Sequence, residues 1–155
     1  MNNEIWKNIK GYEELYQVSN LGNVRSLDRF VYDFNSKSKS KRFKKGKILK
    51  VKQTGKLYLS AFLSKNNILK KFFVHRLVAE HFIDKTDFKC MPNEDKNKIN
   101  LDNLFINHID ENPLNNQADN LEWCTIAYNN NYGNRIKKFN NTIKKRKMVD
   151  KENER

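Results

Sequence analysis

The sequence predicts an α+β protein: a small N-terminal antiparallel β-sheet module, a strand–loop–strand–helix unit over residues 104–133, and a basic helical tail. Three observations carry this prediction. Short strand-like runs broken by tight turns fill the first part of the chain. The apolar period then changes, so that Leu77, Val78, His81 and Phe82 share one face of a short helix. Two short apolar runs, residues 104–109 and 121–124, flank an Asn-rich loop and lead into a capped helix. At 155 residues and 18.5 kDa, the chain is long enough for one ordinary domain, or two very small ones, without covalent staples.

The elements follow in order. Gly11-Tyr12 is a turn, and Leu15, Tyr16 and Val18 give a strand. Ser19-Asn20-Leu21-Gly22-Asn23 is a tight turn with Gly22 suited to positive φ, after which Val24, Ser26 and Leu27 resume the strand. Residues 36–47 read as a low-complexity basic loop. Residues 48–51 and 57–63 look like strands, Lys65-Asn66-Asn67 like a hairpin turn, and residues 69–74 pair back. The short helix ends before Asp84, and residues 84–103 are expected to form a long polar surface loop. In the last unit, Pro113 sits in the Asn-rich loop, Thr125 is a good N-cap, and Gly133 stops the helix near Tyr132. Ile136, Phe139 and Ile143 would lie on one side of an amphipathic tail helix. This divides the chain into a β-rich module at 1–53, a second domain at 54–134 and a basic tail at 135–155.

Charge narrows the function. Lys and Arg number 31 against 18 Asp and Glu, a net charge of +13, which favours a polyanion partner. The charge is also segregated. Residues 34–79 contain no acid, and a second acid-free run carries Arg135, Lys137, Lys138, Lys144, Lys145, Arg146 and Lys147. Aromatic residues at 12% argue against a disordered chain, despite a mean hydropathy of -0.91. No apolar stretch approaches a membrane span, and the start lacks the basic head and apolar run of a secretory signal. Cys90 and Cys124 are too few for a disulfide framework or a structural zinc, so a reducing cytoplasmic setting is expected.

The three histidines are His75, His81 and His108. His75 and His81 fall at the start and on the apolar face of the short helix, where a packed or hydrogen-bonded ring is the expected reading. His108 differs: it follows a strand, lies between Asn107 and Asp110, and opens a loop full of amides. Asn120 and Asn129 follow it, the latter one turn into the last helix.

The order His108, Asn120, Asn129 on strand, loop, strand and helix resembles the ββα-metal (His-Me finger) motif of HNH endonucleases. Val74-His75-Arg76-Leu77-Val78-Ala79 with Phe82, Asn107-His108-Ile109-Asp110 and Asn120-Leu121-Glu122-Trp123 are similar to phage and intron-encoded HNH homing endonucleases. Trp6-Lys7-Asn8-Ile9-Lys10-Gly11-Tyr12 with Tyr16-Gln17-Val18-Ser19-Asn20-Leu21-Gly22 looks like the nuclease-associated modular DNA-binding module that often precedes this domain. The resemblance covers residues 4–132.

It implies a divalent-metal-dependent endonuclease that hydrolyses phosphodiester bonds in double-stranded DNA, of a phage or other mobile element. His108 would be the general base, because a neutral imidazole can take a proton from water near pH 7. Asn129 and Asn107 would ligate one divalent cation, Mg²⁺ or Mn²⁺, Asn107 standing where some relatives carry Asp. Asn120 would brace the loop and Asp110 would orient it or accept a hydrogen bond from His108. Trp123 and Cys124 read as core residues. Affinity would come from Lys41, Arg42, Lys44, Lys45 and Lys47 and from Arg135, Lys137 and Lys138, with Arg25, Arg29 and Tyr32 on a ribbon able to read base edges. No small-molecule cofactor and no membrane partner are expected. With no room after the nuclease for a helix-turn-helix module, the expectation is looser specificity, or a monomer that nicks one strand, a dimer being needed for a double-strand break. The alternative is a nuclease-derived protein that binds DNA or RNA without cutting.

Overall fold

The protein is described from a computed structural model that covers residues 3–32, 41–55 and 57–134. Strict alternation builds the first sheet. In β2 (Tyr16–Ser19) and β3 (Val24–Ser26), Tyr16, Val18, Val24 and Ser26 are buried, while Gln17 and Arg25 lie on the other face. β1 (Trp6–Asn8) pairs antiparallel with β2, giving the order β1-β2-β3. The turn between β2 and β3 needs Gly22, whose φ is +83°.

β4 (Arg29–Tyr32) and β5 (Lys41–Lys44) form a separate antiparallel ribbon. This corrects the reading of residues 41–44 as loop. Phe43 sits opposite Phe30 and Lys41 opposite Tyr32, and such cross-strand aromatic pairs stabilise a strand whose composition looks like loop. The strand expected at 48–51 is likewise displaced. Its backbone lies along β3, through Ser26 N–H to Lys47 O and Leu49 N–H to Val24 O, and the next strand, β6, runs Lys52–Thr54.

β6 pairs with β7 (Tyr58–Lys65), which pairs with β8 (Ile68–Phe73). The β7–β8 connection is the two-residue turn Asn66-Asn67, both with positive φ, the geometry that matches strand twist in a tight hairpin. Helix α1 (Val74–Phe82) starts directly from β8 and buries Val74, Leu77 and Val78 at helical spacing. It ends where Ile83 turns extended, its N–H still bonded to Ala79 O.

The segment expected to be a long surface loop is largely exposed and irregular, and it is pinned at intervals. Short 3-10 turns at Lys85–Asp87, Lys96–Lys98 and Leu101–Asn103 are each capped by the preceding side chain, Asp84, Asp95 and Asn100. Phe88 is buried with Ala79, Leu104 and Trp123. β9 (Phe105–His108) and β10 (Leu121–Cys124) form the last hairpin, and α2 (Ile126–Asn131) follows. The expected tail helix lies outside the described residues, as do residues 36–40 of the basic loop. Among the described residues no helix is long and apolar enough to cross a membrane.

One core runs through these pieces. Ile9, Tyr12, Tyr16, Val18 and Val24 pack with Ala61 and Leu63 of β7, with Val74, Leu77 and Val78 of α1, and with Leu121 of β10. The Tyr16 hydroxyl ties the first sheet to β7, accepting from Ser64 N–H at 3.2 Å and donating to Ser64 O at 3.3 Å. Leu77 is central to this packing and only 2% exposed. We expect Leu77→Ala to lower the free energy of unfolding by about 2–5 kcal/mol, measured by urea denaturation, since the cavity cannot fully collapse.

Candidate active site on the ββα unit

The β9–β10 register places Leu121 opposite His108 and Glu122 opposite Asn107. His108 is therefore the last paired residue before the loop, and Asn107 points to the other face of the hairpin. Asn107 is 1% exposed, and its Nδ2 donates to Glu122 Oε1 at 2.7 Å. That bond fixes the amide so that its oxygen is the remaining acceptor.

The loop after His108 is held by side chains. Asn120 Oδ1 accepts from Asp110 N–H at 3.1 Å, and its Nδ2 donates to Asn115 O and to Asp110 Oδ1, each at 2.9 Å. Asp110 in turn accepts from Asn112 N–H and from Asn115 Nδ2 at 2.8 Å. The Asn115 amide, then the Asn112 N–H, hold the Asp110 carboxyl below the usual carboxylate range. The loop closes with Ile109 N–H on Asn120 O, 2.9 Å.

His108 itself is 5% exposed, and its Nε2 lies 3.3 Å from Asn116 Oδ1. Asn116 Nδ2 donates to Leu114 O, which orients the amide with its oxygen toward the imidazole. Tyr58 stacks near the His108 ring at 6.2 Å between centroids, and His75 meets it edge-on at 5.5 Å. Tyr58 and His75 are 4.7 Å apart. Burial pushes the His75 imidazole down to about 4, with smaller contributions from His108 and Arg76, and its Nδ1 is buried with no hydrogen-bond partner among the described residues. His81, by contrast, is half-buried with both ring nitrogens satisfied: Nδ1 donates to Leu77 O and Nε2 accepts from Lys10 N–H.

Helix α2 is capped by Thr125, whose hydroxyl accepts from Tyr128 N–H and donates to Glu94 Oε2 at 2.7 Å. The helix packs on β9. Asn129 lies one turn in, its N–H on Thr125 O and its Oδ1 buried. Tyr132 bonds Ile109 O at 3.0 Å, lashing the helix end to the start of the loop. Burial raises the Tyr128 and Tyr132 phenols, and the Glu122 carboxylate adds to this in both. Among the described residues no group of three His, Cys, Asp or Glu side chains could hold a metal. The ligands expected from the sequence are instead two amides, Asn107 and Asn129, with Glu122 hydrogen-bonded to Asn107. That donor set fits a hard, oxygen-seeking divalent ion that keeps water or phosphate for its other positions.

The basic residues divide into two kinds. Arg25 is braced: its guanidinium bonds Gln17 Oε1 at 2.6 and 2.8 Å and lies 4.2 Å from the Trp6 ring. Arg29 lies over Tyr16 at 5.5 Å. The β4–β5 ribbon has two unlike faces. One carries Arg29, Val31, Arg42 and Lys44, the other Phe30, Tyr32, Lys41 and Phe43. Phe30 and Tyr32 are each 61% exposed and Phe43 55%, an aromatic face the sequence reading left largely unremarked. Lys45 is exposed, and Lys47 is anchored through its backbone to Ser26. Arg135, Lys137 and Lys138 lie outside the described residues.

Sequence reasoning passed over Tyr58, His75, Glu122 and the His108 contact of Asn116. Glu122 stood beside Asn120 in a quoted motif, and strand alternation opposite Asn107 was the available signal. Tyr58 and His75 come from β7 and α1, and only the tertiary fold brings them to His108.

A hairpin ending in histidine, a loop closed by asparagine and a helix packed on β9 together make a ββα unit. Comparison with known proteins agrees. Residues 4–64 match the NUMOD4 motif. The chain is 36% identical over 124 residues to DNA endonuclease I-HmuI of Bacillus phage SP01, covering 80% of this chain and 54% of that protein. It is 38% identical over 136 residues to an uncharacterised HNH endonuclease of Acanthamoeba polyphaga mimivirus, covering 86% of this chain and 32% of the relative. A solved structure described as DNA binding and cleavage by the HNH homing endonuclease I-HmuI superposes with a TM-score of 0.55 at 38% identity, over 81% of this chain and 55% of that one. The chain is thus similar to these HNH endonucleases, and it spans about half of I-HmuI and about a third of the mimivirus protein.

The His75 ring gives a pH dependence. Its folded value, about 4, lies below the ordinary 6.5, so the unfolded chain binds a proton that the folded chain refuses between them. Stability should therefore fall as pH drops from about 6.5 to about 4, by roughly 3 kcal/mol at most. Urea melts across this range should show the slope, and His75→Phe should remove its share. An unchanged slope in the variant would mean that the ring is equally protonated in both states.

Proposed function

We propose that this chain is a divalent-metal-dependent HNH endonuclease acting on double-stranded DNA, of the homing type carried by phages and other mobile elements. The observation that carries the reading is the placement of His108 at the hairpin end. There it is fixed by the Asn116 amide on a loop that Asn120 and Asp110 hold, while Asn107 is buried at the preceding hairpin position.

Each residue then has a task. His108 takes the proton from the attacking water, a role suited to a neutral imidazole near pH 7. Asn120 and Asp110 hold its loop in place, because a shift of about 1 Å in a reacting group can slow a reaction on the order of 100-fold. Asn107 and Asn129 would hold Mg²⁺ or Mn²⁺ through their amide oxygens. When bound, such an ion supplies Lewis-acid neutralisation of charge at the phosphate and at the departing 3′ oxygen. Two neutral amides hold such an ion weakly, so micromolar affinity is not expected without DNA.

The cationic face of the β4–β5 ribbon, with Arg42 and Lys44, suits the phosphate backbone. Lys45, Lys47, Arg135, Lys137 and Lys138 extend that charge, and a two-stranded ribbon fits the major groove. Arg29 shares that ribbon face and Arg25 sits on β3, where base edges would come within reach. One site per chain favours a nicking monomer, double-strand breaks requiring a second copy or a second visit.

Two measurements test the reading. Supercoiled plasmid with Mg²⁺ or Mn²⁺ should relax, EDTA should abolish this, and His108→Ala should slow it by roughly 10²–10⁴-fold. Absence of cleavage with any divalent ion, alongside tight binding, would favour the alternative of a nuclease-derived DNA-binding protein. Duplex affinity should fall by about 10³–10⁵-fold between about 50 and 200 mM salt if six to ten phosphate contacts form. A slope near zero would remove the basic surface from the account.

A further inference from the structure

The loop that carries Asn116 is gripped from outside as well as from within. The outer grip comes from the turn at residues 19–22 in the N-terminal module. Asn20 O accepts from Ala118 N–H at 2.8 Å. Gly22 lies so close to Asn116 that a Cβ on it would stand 3.1 Å from both the Asn116 Cβ and its carbonyl oxygen. Asn116 is 4% exposed, and its Oδ1 lies against His108 Nε2. The turn has no slack to share, since Asn20 is itself clamped to Ile5 by its N–H and by its side-chain oxygen, the latter at 2.7 Å. Ser19 is fully buried and bonds the Asn23 backbone.

We infer that the turn at residues 19–22 is a positioning element for His108, acting through Asn116. The N-terminal module then has a second task beside any contact with DNA: it sets the placement and tautomer of the imidazole. Because Asn116 Oδ1 is an acceptor, the neutral ring facing it carries its proton on Nε2 and its lone pair on Nδ1. Displacing Asn116 removes the acceptor that selects the Nε2–H tautomer. The catalytic consequence rests on the reading of His108 as the base, whereas the tautomer does not.

The test uses the full chain and four variants. Asn116→Ala removes the acceptor. Gly22→Ala pushes a methyl into Asn116. Ala118→Pro deletes the N–H that Asn20 O receives and puts the ring Cδ in its place, so it both breaks the bond and pushes the turn away; Ala118 opens a 3-10 turn and Gln117 before it is extended, a local setting that accepts proline. Gly11→Ala is the control. Gly11 shares the left-handed backbone, φ +81° against +83°, but a Cβ there meets nothing within 4 Å.

¹⁵N spectra of the His108 ring should show Nε2–H in the parent protein and in Gly11→Ala, and a tautomer mixture in Asn116→Ala and Ala118→Pro. At saturating plasmid, single-turnover cleavage should fall about 10–100-fold in Asn116→Ala, Gly22→Ala and Ala118→Pro. The KM should stay within about 3-fold of the parent, and Gly11→Ala should cleave at the parent rate. Should Gly22→Ala fail to fold while Gly11→Ala folds, the methyl clash is confirmed as structural, and Ala118→Pro then decides the coupling. A parent ring protonated on Nδ1, or an Asn116→Ala ring still held as Nε2–H, overturns the inference. So does parent-rate cleavage by both Asn116→Ala and Ala118→Pro. A parent protein that cuts no DNA, or a His108→Ala variant that cuts at full rate, would instead sink the nuclease reading while the spectra still decide the tautomer.

Discussion

The site depends on one constraint: a two-stranded hairpin cannot hold its own long connection. β9 and β10 are four residues each, and the segment between them runs from Ile109 to Asn120. Isolated hairpins are marginal in water, and a long loop adds closure entropy. Asn120 meets this by presenting its amide as a piece of backbone, accepting from one strand of the loop and donating to the other. Its bonds are inside a partly buried network, where an unmade bond leaves a desolvated polar group behind. Asp110 is the other half of that network, and its depressed carboxyl records how fully it is engaged by donors. As pH falls through that depressed value, the carboxylate is lost and the loop loses those acceptors.

Much of this was legible because short-range physics decided it. Thr125 caps α2, Asn66-Asn67 turns β7 into β8, and the apolar spacing of α1 faces the core, each set by neighbours in sequence. The order of His108, Asn120 and Asn129 could be read for the same reason, since one local hairpin-and-helix unit carries all of them. What escaped was set at long range. Residues 41–44 look like loop until Phe30 is placed opposite Phe43. Residues 84–103 look like solvent-exposed chain until Phe88 finds Trp123. The neighbours of the His108 ring, Tyr58 and His75, are brought there by a different sheet and a different helix. No periodicity in the sequence encodes such a meeting.

Charge and fold divide the labour. The acid-free stretch supplies the second ribbon strand and β7–β8, whereas Asp110 and Glu122 lie in the acid-bearing hairpin unit. The carboxylates there act as acceptors for neighbouring amides, and lysines are absent from the hairpin and its loop. The hairpin and its loop, with Asp110, Glu111, Asp119 and Glu122 and no lysine or arginine, are therefore the acidic part of a basic chain. A phosphate could approach them only with a cation between, so positive charge has to come from outside the hairpin.

The shared interior has a consequence for how such proteins can be recombined. Tyr16 and Val18 press against Leu63, Leu77 and Leu121, so the boundary between front and back halves is itself a hydrophobic seam. A graft of a foreign front half onto this back half would need matching shapes at those positions, or the join would open like a poorly fitted lid. Exchange of front halves among relatives is thereby restricted to donors whose inner surfaces match these residues, however similar their outer faces.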